Sequence, residues 1–521
     1  TGTFSGDITA NGNIAGDNST NITGIAGVTA STLTGTLQTA AQANVTSVGT
    51  LTGLTVSADS TVNSVTVGKG ANSRSGNTAV GENALDAAVT GTNNIAIGKD
   101  ALTTNTSGHS NTGVGHQALE QNIGGGYNTA IGNQTLDDNT GGDHNTAVGS
   151  DALGANTTGD NNVAVGSLAL DANTTANNNT AVGYAALGAN TTGTLNTAVG
   201  HNALTANTTA SENTSVGNES LEANTTGQQN CAFGFRTLED NNADHNTAFG
   251  HESLKDNTTG TENTAVGANV LYQNTTTSQN TAVGFDALQA NTAHANTAVG
   301  HASLRSNTTG AGLVALGKNS LYTNTTGNYC IAIGYDALQQ NNANNNTAVG
   351  HDSLKLNTTG AGNVAVGANA LDANTTADEN TGVGYLALEA NTEGAYNTAV
   401  GARALDANTT ASNNTAVGRS SLSANTTGSS NTAVGAEALE TNTTGAQNTA
   451  LGLRALEGNT TANYNTAIGS QTLQANTTGD LNTAIGLQSL EANVSGTKNT
   501  ACGAESLQAN LASNNTAFGR R

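Results

Sequence analysis

Ring-bearing side chains recur in this sequence at a spacing of 50 residues, and their types and regularity could support chemistry. The set comprises His201, His251, His301 and His351, together with Phe235, Phe285, Tyr335 and Tyr385. Imidazole and aromatic groups held in a row would form an exposed ladder that contacts a ligand. Duplication of a block of the chain, with histidines that simply face solvent, explains the same spacing, and we favour this second interpretation.

A pentapeptide, Asn-Thr-Ala-Val-Gly, sets the position of these rings. It begins at Asn77 and returns 26 times, at intervals of 17 or 16 residues, until Asn515. Self-similarity at a short fixed period predicts an all-β parallel β-solenoid, here with about 26 coils of 16 to 17 residues. The 50-residue spacing corresponds to three coils, or about 14 Å along the solenoid. Histidines at that distance cannot share a metal ion.

Alternation within the pentapeptide predicts one short strand per coil. Counting from its asparagine, position 2 is mostly Thr, Val or Ile, position 3 is Ala, Gly or Ser, and position 4 is mostly aliphatic. Positions 2 and 4 share one face of a strand, and we expect that face to point inward. The small residues at position 3 would then face outward and form a seam between identical chains. Representative seam residues are Ala96, Ala164 and Ala332.

The remainder of each repeat predicts a second strand and a return turn. Position 9 is Leu in every complete repeat, so we expect a strand over positions 8 to 11 with this leucine inward. Position 12 is Asn in all complete repeats except the one with Ala88, and Thr-Thr-Gly or Thr-Thr-Ala often follows it. Asn and Gly favour turns. The 16-residue repeats lose their residue after this asparagine, where turns tolerate deletion.

Composition limits the partners and the chemistry. The chain has 37 acidic and 14 basic residues, a net charge of −23, which repels nucleic acids and anionic membranes. It has no apolar run long enough to insert into a bilayer. Cys231, Cys330 and Cys502 occupy repeat positions that other small residues fill elsewhere, so we expect neither a disulfide nor a metal site. We predict no cofactor.

Other motifs are explained by the repeat. The Asn-Thr-Thr segments match the glycosylation acceptor pattern, but turn chemistry accounts for them. Asp171 and Asp372 near the turns would suit calcium, yet acids are not periodic there. Gly113 and Gly115 look like part of a phosphate loop, but no helix is predicted to follow. Because no catalytic set stands out from the repeat, we predict that the protein is not an enzyme.

Two segments follow from the periodicity. Residues 1–71 lack the pentapeptide and are rich in Thr, Gly and Ser, with short alternating stretches such as residues 64–67 that predict strands. We interpret them as an attachment or fibre-junction segment. Residues 72–521 form the repeat domain.

The pentapeptide resembles the Ser-Val-Ala-Ile-Gly repeat of trimeric autotransporter adhesin heads, most closely at residues 94–98, 162–166 and 330–334. The resemblance implies a left-handed parallel β-roll assembled as a homotrimeric rod. The 17-residue period, with its Leu and its Asn-Thr-Thr turn, looks like a variant also seen in phage tail fibres, and residues 35–56 are similar to segments of such fibres. Neither the membrane-anchor barrel nor the coiled-coil stalk of the adhesins is recognisable in this sequence.

Three functions are consistent with these observations. The first is a structural or adhesive fibre, the extracellular shaft of a surface appendage most like a phage tail fibre, which assembles with itself as a homotrimer or end to end. A cell-surface glycan or protein would be its receptor. The second is a bacterial extracellular filament or adhesin head. The third is an ice-binding solenoid, disfavoured because the threonine pairs lie in the turn and position 2 exchanges with Val and Ile.

Overall fold

The computed structural model describes residues 59–63 and 65–520, all within one compact unit, Ala58–Arg521. A short 3₁₀ helix, Ala71–Ser73, follows two strands, β1 (Ser60–Val62) and β2 (Val65–Gly68). One strand per repeat comes next, four residues long in β3 (Thr78–Gly81) and three in all later ones. In order, β4 to β29 are Ile95–Ile97, Thr112–Val114, Thr129–Ile131, Thr146–Val148, Val163–Val165, Thr180–Val182, Thr197–Val199, Thr214–Val216, Cys231–Phe233, Thr247–Phe249, Thr264–Val266, Thr281–Val283, Thr297–Val299, Val314–Leu316, Ile331–Ile333, Thr347–Val349, Val364–Val366, Thr381–Val383, Thr398–Val400, Thr415–Val417, Thr432–Val434, Thr449–Leu451, Thr466–Ile468, Thr483–Ile485, Thr500–Cys502 and Thr516–Phe518.

The strands form a single sheet whose order follows the chain. From β3 to β29 each strand pairs in parallel with the next, and equal repeat positions lie opposite each other, as for Thr197 and Thr214. The predicted parallel β-solenoid of about 26 coils is therefore confirmed. At about 4.8 Å per strand, 26 intervals extend the sheet over about 125 Å.

An antiparallel hairpin covers the first edge of this sheet. β1 pairs antiparallel with β2, and β2 pairs antiparallel with β3. The amide of Lys69 donates to a carboxylate oxygen of Asp59 at 2.8 Å and holds the hairpin. The strand predicted from residues 64–67 corresponds to β2, whereas the predictions for residues 1–58 lie outside the described residues. In the part of the chain that the structure describes, no helix is long and apolar enough to cross a membrane.

The orientation predicted for the strand is wrong. The side chains at position 3 point into the coil, and Ala96, Ala164 and Ala332 are fully buried within their own chain. They cannot form the predicted seam, because a second chain has no access to them. The side chains at positions 2 and 4 face outward and are half-buried or exposed, as in β4, β8 and β18.

The narrow interior explains why position 3 is small. At Gly113 an added Cβ would lie 3.1 Å from the carbonyl oxygen of Ala118 and 3.5 Å from a methyl group of Leu102. A methyl group therefore just fits between the strand and the opposite wall. Ser215 is the largest residue found at this position, and its hydroxyl donates to the carbonyl oxygen of Ser220 at 2.8 Å. Larger side chains do not fit this space.

The leucines at position 9 point inward as predicted, but they do not lie in a strand. Positions 6 to 11 form a turn in which position 7 and the leucine both have left-handed backbone angles, for example φ 56° at Asp151 and 53° at Leu153. This conformation is costly for a leucine. Full burial of Leu153 offsets the cost. Its amide donates at 3.0 Å to the carbonyl oxygen of Ala169 in the next coil, so the turns stack as regularly as the strands.

Asparagines at positions 1 and 12 form two buried ladders along the interior. The amide nitrogen of Asn122 at position 12 donates to the side-chain oxygen of Asn105 in the preceding coil at 2.7 Å. At position 1, the backbone amide of Asn94 donates to the side-chain oxygen of Asn77 at 2.8 Å. The two ladders also share a carbonyl acceptor. The side-chain amides of Asn94 and Asn105 both donate to the carbonyl oxygen of Gly108, at 2.9 and 3.1 Å. The recurrence of asparagine at position 1 did not by itself indicate this ladder.

The 16-residue coils keep this arrangement, as the location of their deletions predicts. In a 17-residue coil Asn224 donates to the carbonyl oxygen of Gly227, three residues later, at 3.0 Å. In a 16-residue coil Asn241 makes the equivalent bond to Ala243, two residues later, at 2.9 Å. The deletion therefore shortens the Thr-Thr segment and leaves both ladders in register.

Candidate interaction surfaces

Positions 2 and 4 together form an uncharged face along the whole parallel sheet, which we call the sheet face. Across β3 to β29 no residue at either position is charged, although the chain carries a net charge of −23. Aliphatic side chains at position 4 are often well exposed, for example Ile97 at 40% and Leu451 at 45%. Where Phe233 and Phe249 follow each other, their rings stack at 4.8 Å. Long exposed apolar surfaces of this kind mark interaction sites.

The rings at position 6 form a second surface, which we call the ring ridge. His201, His251, His301 and His351 are exposed, and each stacks on an aromatic ring of the preceding coil. The pairs and their centroid distances are Tyr184 with His201 at 5.3 Å, Phe235 with His251 at 5.1 Å, Phe285 with His301 at 5.5 Å, and Tyr335 with His351 at 5.3 Å. Both series are evident in the sequence, but the contacts between their members were not predicted. The sequence signal that could have revealed the stacking is the offset of 16 or 17 residues, which is one coil, between the members of each pair.

Acidic residues line the turn at positions 7 and 10, which we call the turn stripe. Residues 120–244 contain 13 acidic residues, of which seven are at positions 7 and 10, and one basic residue, Arg236. By contrast, residues 263–371 contain three of each and carry no net charge. In this neutral segment cations lie against the acids, as where Arg305 Nε lies 3.3 Å from Asp286 and Lys355 Nζ lies 3.2 Å from Asp352.

Burial and mutual repulsion alter proton binding in the turn stripe. Burial, followed by the charges of Glu120 and Asp138, raises the pKa of Asp137 from 3.8 to about 6. Burial is also the main cause of the raised pKa values of Asp171 and Asp372, where nearby carboxylates add to it. These three half-buried carboxyl groups therefore hold protons more strongly than isolated ones.

Two carboxylate trios in the turn stripe have oxygens within 4.8 Å of one another. They are Glu219, Glu222 and Glu239, and Glu437, Glu440 and Glu457. Arginines contact both trios: Arg236 Nε lies 2.6 Å from Glu219, and Arg454 Nε lies 2.6 Å from Glu437. These guanidinium groups offset part of the charge of the carboxylates, and we assign no metal to either trio.

Cysteines and glycosylation motifs occupy structural positions. Cys231, Cys330 and Cys502 are free thiols. Cys330 takes the place of an asparagine at position 1, and its Sγ lies 3.2 Å from the carbonyl oxygen of Ala343. Burial raises the pKa of this thiol. The asparagines of the Asn-Thr-Thr motifs, such as Asn156, are fully buried in the ladder, which supports a role in the turn over a role as a sugar acceptor.

Comparison with models of known protein families gives no match. Comparison with curated proteins gives no significant match.

Proposed function

We propose that the protein is a non-enzymatic structural fibre, the shaft of an extracellular appendage that mediates attachment, most like a phage tail fibre. In this proposal identical chains associate laterally, as a homotrimer, through the sheet face. The observation that carries the proposal is the sheet face itself, an uncharged surface that continues through every coil of an otherwise acidic solenoid. The same fold and face would also suit a bacterial extracellular filament or adhesin head.

The size of the sheet face supports this assembly. A strip about 7 Å wide and about 125 Å long offers roughly 850 Å² per chain. One partner in a stable protein interface contributes about 800 Å², so this strip would supply one such contribution, or about half of each of the two that a chain makes in a homotrimer. Acidic chains repel one another, so association is favoured where charges are absent. Identical chains present identical faces, which suits closed symmetric assembly.

Ice binding is a second candidate, because the structure changes the evidence that disfavoured it. The Thr-Thr pairs do lie in the turn, but the position-2 threonines of most strands, which were predicted to point inward, lie on the outer face of an in-register parallel sheet. A regular row of hydroxyl and methyl groups beside Val can order water. This function needs the sheet face to be open, whereas the fibre needs it to be covered.

Charges placed on the sheet face test the fibre. We expect glutamate at Val165, Val216 and Val266 together to convert the assembly into single chains in analytical ultracentrifugation, because each chain would bring three buried charges to the interface. Electron microscopy of the unmodified protein should show straight rods thicker than one solenoid. Single chains that show thermal hysteresis in ice solutions would instead support ice binding.

The matched control places the same charges on exposed turn residues. Thr175, Thr226 and Thr276 lie at position 14 of the same three coils and are exposed. Their replacement by glutamate should leave the sedimentation coefficient unchanged. If the unmodified protein already sediments as a single folded chain, the proposed assembly is refuted.

A further inference from the structure

In four coils of the ring ridge a residue without a ring stands between a histidine and the next aromatic ring, namely Asn218, Ala268, Lys318 and Ala368, and in two of these coils the residue is alanine. In three consecutive coils, position 6 holds His251, Ala268 and Phe285. Six coils after His251, the same position begins a second triplet, His351, Ala368 and Tyr385. An alanine thus separates a histidine from an aromatic ring in both triplets. The two alanines are 100 residues apart, which is six coils or about 29 Å.

The stacking geometry shows which ring faces line these gaps. His251 stacks on Phe235 on one side at 5.1 Å, and Phe285 stacks on His301 on its other side at 5.5 Å. The second face of each ring is therefore turned toward the coil of Ala268. Two coil spacings separate these faces by about 9.6 Å. The gap therefore has room for one further ring, at the distance at which aromatic and other flat groups stack.

The second triplet has the same order of residue types and the same stacked histidine. His351 stacks on Tyr335 at 5.3 Å with an angle of 9° between the rings, so its other face is turned toward Ala368. Tyr385 stands at position 6 two coils beyond His351 and is 54% exposed, so its ring is available as the opposite wall. We call the two gaps ring slots.

The intervening block shows a filled slot. Between His301 and Tyr335 the corresponding residue is Lys318, whose Nζ lies 5.6 Å from the centre of the Tyr335 ring. This cation covers the ring face that is open in the other two blocks. The chain thus provides its own example of a folded coil with a closed slot.

Polar groups at position 7 border the slots. Glu252 lies beside His251, with 3.6 Å between the carboxylate and Nδ1, and the amide of Asn269 donates to Asp286 at 3.2 Å. At the second slot Asp352 lies 3.3 Å from His351. Carboxylate and amide groups bind hydroxyl groups, and flat apolar faces above and below match the C–H faces of a pyranose ring. Ala268 and Ala368 both lie within the segment without net charge, whereas His251 and Tyr385 lie beyond its two ends. This low net charge around the alanines would suit a neutral ligand.

We propose that each ring slot binds one neutral pyranose unit of a glycan. The proposal rests on the attachment function proposed above and identifies the receptor as a carbohydrate. Two slots about 29 Å apart on one chain would engage one long glycan or two neighbouring ones, and effective concentration would strengthen the second contact.

The test is calorimetric titration of the full chain with methyl glycosides and short oligosaccharides of glucose, galactose, mannose and N-acetylglucosamine. At least one of them should bind at two sites per chain. Ala268→Lys with Ala368→Lys copies the filled slot and should weaken binding about tenfold or more while the fold is retained. Lys318→Ala should open a third site.

A second variant distinguishes the ring walls from the slot floor. Phe285→Ala with Tyr385→Ala should also weaken binding about tenfold, because each slot loses one stacking face. Binding that is unchanged in both double variants, or absent for every sugar in the panel, overturns the proposal. Binding of free indole in place of sugars assigns the slots to protein side chains and also overturns it.

Sedimentation separates this proposal from the proposed function. Ala268→Lys with Ala368→Lys should leave the assembly unchanged. Dissociation of the assembly by these lysines would show that the ring ridge is a contact between chains and would refute the sugar site alone. Loss of sugar binding in an intact rod would leave the fibre proposal in place.

Discussion

The interior of each coil has two halves that are stabilised in different ways. On one side the alanines of the strand pack against the leucines of the turn, and both are fully buried, as for Ala198 and Leu204. On the other side buried asparagines bind one another from coil to coil, as where Asn207 donates to Asn190 at 2.8 Å. A 17-residue coil is too small to bury much apolar surface, and amide ladders let it bury polar groups without leaving them unpaired.

The position-1 asparagine ladder is interrupted at one place in the chain. At position 1, Leu313 and Cys330 replace the asparagine in two consecutive coils. The backbone amide of Leu313 still donates to the side-chain oxygen of Asn296 in the preceding coil at 3.0 Å. Leucine has no side-chain amide, however, so the ladder does not continue to the next coil. The fold persists through both coils, which shows that one ladder can be interrupted while the position-12 ladder continues.

The largest effect is expected from the leucine side. Leu204→Ala should lower the local free energy of unfolding by about 2–5 kcal/mol, because it removes buried methyl groups and leaves a cavity. Hydrogen exchange of the amides in neighbouring coils measures this loss. Leu195 has a similar left-handed backbone, φ 61°, but is 55% exposed, so Leu195→Ala is the matched control. Equal losses at both sites would contradict the leucine core.

The next largest loss of stability is expected from a change in the asparagine ladder at position 12. Asn190 donates to the side chain of Asn173 at 3.0 Å and to the carbonyl of Gly193 at 3.0 Å, and it accepts from Asn207. Asn190→Ala should cost about 2–3 kcal/mol, because buried groups lose their partners. Urea denaturation followed by circular dichroism provides the measurement. Asn133→Ala, on an exposed residue, should change stability by less than about 0.5 kcal/mol.

A change at position 3 sharpens the comparison between interior and surface. Ala164→Leu should destabilise the coil by about 1–3 kcal/mol, because the alanine side chain faces a filled interior. The measurement is thermal unfolding together with sedimentation. Ser167→Leu at position 6 should be tolerated. Loss of chain association with an unchanged melting temperature would mean that the alanines face a neighbouring chain after all.

Proton binding in the turn stripe should have the smallest effect. The pKa of Asp137 is about 6 in the folded chain and 3.8 ordinarily, so the folded state favours the protonated form. The contribution of the protonated Asp137 carboxyl to the free energy of unfolding is fully present below pH 3.8 and is lost as the pH rises through about 6. Asp137→Asn should therefore stabilise the protein at pH 7 by roughly 1 kcal/mol, a value reduced by solvent screening. A stability difference that does not change between pH 4 and pH 7 would contradict this assignment.

Some features of the surfaces could be predicted from the sequence. The 50-residue spacing located the ring ridge, because one repeat position holds the whole series. The stacking of Phe285 on His301 could not be predicted, because it depends on both rings standing parallel on adjacent coils. The seam was placed on the wrong side of the strand, since a period of two residues identifies two faces but not which one is inside.

The sequence by itself determined the solenoid, its period, one strand per pentapeptide and the inward leucine, because each follows from strict recurrence of residue type. Only the tertiary structure decided that alanine points inward and valine outward. The reason is the width of the coil: the carbonyl of position 8 and the leucine of the preceding coil leave room for a single methyl group. The tertiary structure also decided that asparagine is a core residue, because each amide finds its partner one coil away.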